Sequence, residues 1–285
     1  MKKSQVRITD DAIREVISCY TRESGVRSLE RHIATICRKA DMQILKEHAA
    51  KKITVTGKDM EFYLGVRKYL PDRMPCNDQV GLVTGLAWTS VGGETLDVEV
   101  NVMEGTGKLE LTGNLGDVMK ESAHAAWSYI RANADKLGVA QDFYKTRDIH
   151  VHFPEGAVPK DGPSAGIAIC TAMVSALTNT KVRSDIAMTG EISIRGRVMA
   201  IGGLKEKTMA ALRHGIRTVI IPKDNERDLQ EIDQTVRKAL QFVVASDIGK
   251  VLETALIPTV ESAPILIPEM PKSRTKPTNK PDIRQ

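Results

Sequence analysis

"PKDGPSAGIAICTAMVSALT", residues 159–178, carries Gly-Pro-Ser at 162–164 and from there runs to Thr178 without a charge. Pro163 has no N–H to lose and a φ preset for a helix, so it suits the first helical position. A helix with no polar face has to be enclosed on every side. The segment before it, "RDIHVHF" (147–153), reads as a strand, and so does the one after it, "DIAMTGEI" (185–192). Strand, buried helix and strand in succession indicate a layered α/β or α+β domain.

Working outward, the same character extends from residue 79 to residue 257. Two strands are expected around Gly92-Gly93 in "GLAWTSVGGETLDVEVNVM", with the glycine pair as the turn. "KLELTG" is a further strand, and "LGDVMKESAHAAWSYIRANADKLG" is one long amphipathic helix closed by Gly138. Downstream come "GRVMAIGG" as strand or turn, "LKEKTMAALRHG" as a helix and "IRTVIIP" as a strand. Two small helices then flank a last strand, "ALQFVVA". Upstream, "ITDDAIREVISCY" and "SGVRSLERHIATICRKADMQIL" carry helical periodicity, followed by a strand, "KITVT", and a helical "KDMEFYL". The expected divisions are a helical unit over 1–66, a linker over 67–78 that holds two prolines, the α/β domain over 79–257, and a Pro/Lys-rich, disordered tail over 258–285.

Composition narrows the function. The net charge is +5, but the last 24 residues hold five basic and two acidic side chains, leaving +2 on all that precedes them. A global nucleic-acid footprint is therefore not expected. Four scattered cysteines without CxxC spacing read as reduced thiols. No apolar run reaches membrane-spanning length, and "MKK" leads directly into helix-cap chemistry, so no targeting segment is expected.

The hydroxyl of Ser164 lies in the first turn, where free backbone N–H groups and the positive end of the helix dipole converge. Gly162 and Gly166 leave room for a substrate backbone. A serine becomes a nucleophile only when a base takes its proton. Simple capping is the bland alternative. A phosphate cradle of the kind found in small-molecule kinases is another, opposed by the negative charge of Asp161. A pure assembly role is a third. His150 and His152 alternate on one strand and so share a face; they offer a base or two metal ligands, but no third ligand is suitably spaced, so no metal is expected. Lys205 and Lys207 share one helix, and periodicity does not separate them.

The longer segments do. "DIHVHFPEGAVPKDGPSAGIAI", "MTGEISIRGRVMAIGGLKEK", "GLAWTSVGGETLDVEV" and "GIRTVIIPKDNERDL" resemble, in the same order, segments of the Lon family of ATP-dependent serine proteases. The resemblance runs from about Val80 to Leu256, and "GVRSLER" resembles the sensor-2 segment of that family's ATPase module. It implies a Lon-type α/β protease domain preceded by the end of the small helical AAA+ subdomain. It implies Ser164 as nucleophile, Lys207 as general base and Thr189 as the hydrogen-bond partner of Lys207. Asp161, Glu155, Glu191, His150 and His152 fall in matching boxes and take supporting roles. Such a lysine must be neutral near pH 8, a drop of roughly 2.5 units from ~10.4, which desolvation can supply.

Full-length members also carry a GxxxxGK[ST] loop, which this chain does not contain. The expectation is a proteolytic piece that itself needs no cofactor, with ATP and Mg²⁺ serving the full-length enzyme and Arg27 reaching nucleotide only there. The resemblance further implies unfolded or misfolded polypeptide as substrate, a ring of six, a role in protein quality control and stress response, and a bacterial cytoplasm, with a mitochondrial matrix as the alternative. Neither nucleic acid nor membrane is expected as a partner.

Overall fold

Alternation of side chains along the strands divides the α/β domain into two cores on opposite faces of one sheet. A computed structural model of the chain describes residues 5–46, 52–69 and 77–258. In chain order its elements begin with β1 (Val6–Ile8), α1 (Asp10–Tyr20), α2 (Arg27–Lys46), β2 (Ile53–Val55) and α3 (Met60–Leu64). These pack around Ala12, Val16, Ile36, Val55, Met60 and Tyr63, a core separate from those of the sheet domain. The β1–β2 pair is parallel, a small sheet within the helical unit.

There follow β3 (Gln79–Val80), β4 (Leu82–Thr89), β5 (Gly92–Glu104), β6 (Leu109–Thr112), α4 (Asp117–Ala132), α5 (Phe143–Thr146) and β7 (Arg147–His152). Next are α6 (Gly166–Thr178), β8 (Lys181–Val182), β9 (Ile186–Met188), β10 (Glu191–Ile192) and β11 (Val198–Met199). The described chain closes with α7 (Leu204–Arg213), β12 (Thr218–Pro222), α8 (Gln234–Ala239), β13 (Gln241–Ala245) and α9 (Ile248–Ala255). The principal sheet has seven strands in the order β13-β12-β9-β4-β5-β7-β6. Strands β13, β12, β9 and β4 run parallel, whereas β5 is antiparallel to both β4 and β7.

Val83, Ile186, Met188 and Ile220 face α4, α6 and α9. Leu86, Ala187, Val219 and Ile221 face α7 and α8 on the other side. Strands apolar on both faces are those of a sheet covered on both sides. Helix α6 is buried from Gly166 through Ser175. Its polar side chains are satisfied internally: Thr171 donates to the Ile167 carbonyl at 2.8 Å, and Ser175 Oγ accepts from the Gly81 N–H at 2.9 Å.

Two turn assignments are corrected. Gly92 and Gly93 are not the hairpin turn but the first residues of β5, paired with Thr89 and Trp88. Gly93 is small because α7 passes over it: an added Cβ would lie 2.0 Å from the Glu206 carbonyl oxygen. Gly138 does not end the long helix, since α4 stops at Ala132 and Gly138, at φ 68°, closes a separate 3-10 turn over Asp135–Leu137. The middle of the expected linker (70–76, with Cys76) and the expected tail beyond residue 258 lie outside the described residues. Among the described residues, Cys19, Cys37 and Cys170 are free thiols, and no helix is long and apolar enough to cross a membrane.

Candidate active site

Three segments far apart in sequence converge at the start of α6. Gly162, at φ 124°, turns the chain into a 3-10 turn over Pro163–Ala165, and α6 follows from Gly166. A side chain at that φ is strained, so glycine suits the position. Ser164 is half-buried in this turn. Its carbonyl accepts hydrogen bonds from the Gly190 N–H at 2.8 Å and from the Thr189 hydroxyl at 3.4 Å. In return the Ile167 N–H donates to the Gly190 carbonyl at 3.1 Å. The crossover between β9 and β10 is thereby laced to the start of α6. Gly166 does not leave space for a substrate, because Ser122 Oγ and Ile192 already stand within 2.9 Å of where its Cβ would be. An added Cβ at Gly162 meets nothing within 4 Å, so the open side of the turn is there.

Thr189 is fully buried, and its backbone N–H donates to the Ile220 carbonyl of β12 at 3.1 Å. Its hydroxyl accepts from Lys207 Nζ at 3.0 Å. Lys207 projects from the first turn of α7 and is 2% exposed, while Lys205 on the same helix is exposed. Burial separates the two lysines where periodicity does not. Among the described residues no carboxylate pairs with Lys207, and burial alone pushes its ammonium down to about 8. An amine that donates one N–H to Thr189 keeps its lone pair for another proton.

The remaining residues divide into neighbours of this cluster and residues held elsewhere. Asp161 Oδ1 accepts from the N–H groups of Met119 at 3.0 Å and Gly162 at 2.9 Å, tying the loop to the first turn of α4. Glu191 follows Gly190 as the first residue of β10 and is half-buried. Glu155 is exposed, with a left-handed backbone at φ 62°, and its carbonyl accepts from Lys160 Nζ at 2.7 Å. His150 Nε2 and His152 Nδ1 both bond the Thr112 hydroxyl, at 2.8 and 2.7 Å. The two imidazoles line a cavity of about 440 Å³ shared with β3, β4 and β5, which includes neither Ser164 nor Lys207. Among the described residues no group of three or more His, Cys, Asp or Glu side chains is arranged to hold a metal ion. Arg27 is exposed at the first residue of α2, in the helical unit.

Residues 54–258 match the model of the Lon protease (S16) C-terminal proteolytic domain, and residues 1–53 match the Lon protease AAA+ ATPase lid domain. The chain is 56% identical over 257 residues to the Lon protease of Finegoldia magna, covering 90% of this chain and 33% of that protein. It is 54% identical to Lon protease 1 of Bacillus subtilis over 257 residues, with the same shares of the two chains, 90% and 33%. The Lon protease of Clostridium acetobutylicum is 53% identical over 253 residues, 89% of this chain and 32% of that one. The chain thus spans about a third of the length of the curated relatives that it matches.

Proposed function

The chain belongs to the Lon protease family, matching its C-terminal proteolytic domain and its AAA+ lid domain, and from that premise we propose that it is a serine endopeptidase acting through Ser164 and Lys207. The observation that carries the reading is Lys207 itself: a lysine 2% exposed, without a carboxylate partner among the described residues, pushed down to about 8 and bonded through Thr189 to the backbone of Ser164. A structural lysine is ordinarily solvated or paired with a carboxylate. A buried amine near neutrality suits general-base chemistry at physiological pH.

In the proposed mechanism neutral Lys207 takes the Ser164 proton as Oγ attacks the peptide carbonyl carbon. The lysine ammonium then gives that proton to the departing amine, leaving an acyl ester on Ser164. Lys207 next takes a proton from water, the hydroxide attacks the ester, and Ser164 regains its hydrogen as the acid product leaves. Thr189 holds the amine, and Asp161 holds the loop against α4.

The substrates proposed are unfolded or misfolded polypeptides and regulatory proteins, the assembly a ring of six, and the setting quality control and the stress response in a bacterial cytoplasm. The family and the bacterial sources of the relatives support these readings. ATP and Mg²⁺ belong in this reading to the full-length enzyme, where nucleotide hydrolysis drives substrate delivery. The residues present here fit only the edge of such a site. The Glu23 carboxylate already accepts from the Ser28 and Leu29 N–H groups at the start of α2, at 2.8 and 2.9 Å, and the exposed Arg27 beside them is the residue that the sensor-2 resemblance assigns to nucleotide. Hydrolysis of a fluorogenic peptide by the parent, lost in both Ser164→Ala and Lys207→Met with unchanged circular dichroism, tests the proposal; parent-like turnover in either variant overturns it.

A further inference from the structure

Lys207 can act only if α7 presents its amine to Thr189 while water stays out, so whatever fixes the start of α7 bears on the reaction. Helix α7 is preceded by Ile201-Gly202-Gly203, in which Gly203 has φ 70° and carries the carbonyl that accepts the Lys207 N–H at 3.0 Å. Two glycines give this link no stiffness of its own.

The stiffness comes from Asn225, in the 3-10 segment Lys223–Glu231 that follows β12. Its neighbours Asp224, Glu226 and Arg227 are exposed, yet Asn225 is 3% exposed. Its side-chain carbonyl accepts from the Ile201 N–H at 2.9 Å, and its side-chain amide donates to the Ile201 carbonyl at 2.9 Å. The amide also donates to Asp228 Oδ2 at 2.6 Å, and a carboxylate there fixes which end of the side chain is nitrogen. One side chain therefore clamps both polar groups of a single backbone residue, as a neighbouring strand would. The placement is economical. The Ile220 carbonyl holds the Thr189 backbone, and five residues on Asn225 holds the entry to α7, so one short segment locates both members of the Lys207–Thr189 pair. Of the charged groups on the elements packed here, Asp228 accepts from the Asn225 amide, Asp224 lies 3.8 Å from Arg197, and Glu94 of β5 lies 3.3 Å from Arg22.

We propose that Asn225 is a positioning residue for the reaction, holding Ile201 and through it the first turn of α7 so that Lys207 reaches Thr189 and Ser164 dry. The inference rests on the reading of Lys207 as the base. A variant without the clamp lets α7 shift and water reach the amine, so the lysine returns toward its ordinary range. An asparagine that merely fills space would not move that titration.

The test is competitive acylation of Lys207 with acetic anhydride across pH, read by peptide mass spectrometry, in the parent, Asn225→Ala and Asn225→Asp. Asn225→Asp keeps the acceptor for the Ile201 N–H, loses the donor to its carbonyl and sets a carboxylate against Asp228. The expected result in both variants is a labelling midpoint moved to higher pH. The acid limb of kcat/KM for peptide hydrolysis moves with it, and the plateau falls about 10- to 100-fold. Unchanged midpoints and limbs in a folded variant overturn the proposal. If both variants fail to fold, amide hydrogen exchange of the parent decides: Ile201 protected as strongly as the interior of α7 supports the clamp, and free exchange at Ile201 overturns it. The labelling curve does not depend on what Lys207 does in catalysis. Failure of the base assignment shows separately, as surviving turnover in Lys207→Met.

Discussion

Lys207 Nζ stands 3.0 Å from Thr189 Oγ1, and the same hydroxyl points back to the Ser164 carbonyl at 3.4 Å. One threonine thus connects the buried amine of α7 to the turn that carries the serine. It has one hydrogen to give and gives it to Ser164, so its lone pairs face the lysine.

This relationship makes Thr189→Val informative. Valine matches the shape and removes both bonds. An acceptor favours the charged amine, so its loss should move the acid limb of kcat/KM to lower pH. The loosened geometry should lower the plateau by about 10- to 100-fold. Initial rates of peptide hydrolysis between pH 6 and 10 check both; an upward shift of the limb would contradict the account.

Burying Lys207 works against stability, and the sign follows from its pKa. The folded-state value is about 8 against an ordinary 10.5, so between these values the unfolded chain binds more protons and stability rises with pH. Below about 8 the full penalty applies, about 3 kcal/mol at 1.36 per unit. Lys207→Met should therefore stabilise the fold at pH 7 by up to that amount, with the gain shrinking as pH approaches 10.5. Urea melts at pH 7 and pH 10 measure it. A gain that grows with pH would contradict the reading.

Much of the fold is legible in the sequence, for identifiable reasons. Helix α6 announces itself because a run from Gly166 to Thr178 without a charge has nowhere to lie but inside. Strand β12 reads as buried because "TVIIP" is apolar on both faces. The hairpin is misread because Gly92-Gly93 mimics a turn, whereas the second glycine answers to the backbone of α7. That contact is long-range and leaves no local trace. The site is less legible. Ser164 has a local signature, but Lys205 and Lys207 share one short helix whose periodicity does not separate them, and burial and the bond to Thr189 tell them apart. Asn225 lies in the charged run "PKDNERDL", where no local feature marks it, and its pairing with Ile201 reveals it.

Gly93 gives a test of how tightly α7 is held. A methyl group at this position would meet Glu206 O at 2.0 Å and Lys207 N at 2.9 Å, so α7 or β5 must move. Gly93→Ala should lower kcat/KM by about 10- to 100-fold while leaving the far-UV circular dichroism intact. Turnover equal to the parent's would show that α7 is not constrained from this side.

Away from the site, Asp148 organises the β5–β6 connection. Its Oδ1 accepts from the Thr106, Gly107 and Lys108 N–H groups at 2.8, 2.9 and 2.7 Å. These donors hold its carboxyl below the usual range. A depressed carboxylate contributes stability above its unfolded pKa and loses it as pH falls through the folded one. Asp148→Asn should lower Tm at pH 7, and the difference should narrow in acid. A difference that widens toward pH 3 would contradict the assignment.

The most direct measurement is intact-mass spectrometry after reaction with a serine-directed phosphonylating reagent, followed by peptide mapping. The account predicts a single adduct on Ser164 in the parent, forming faster as pH rises through about 8, and almost none in Lys207→Met. An adduct on another residue, or labelling of Ser164 in Lys207→Met at the parent's rate, would contradict it.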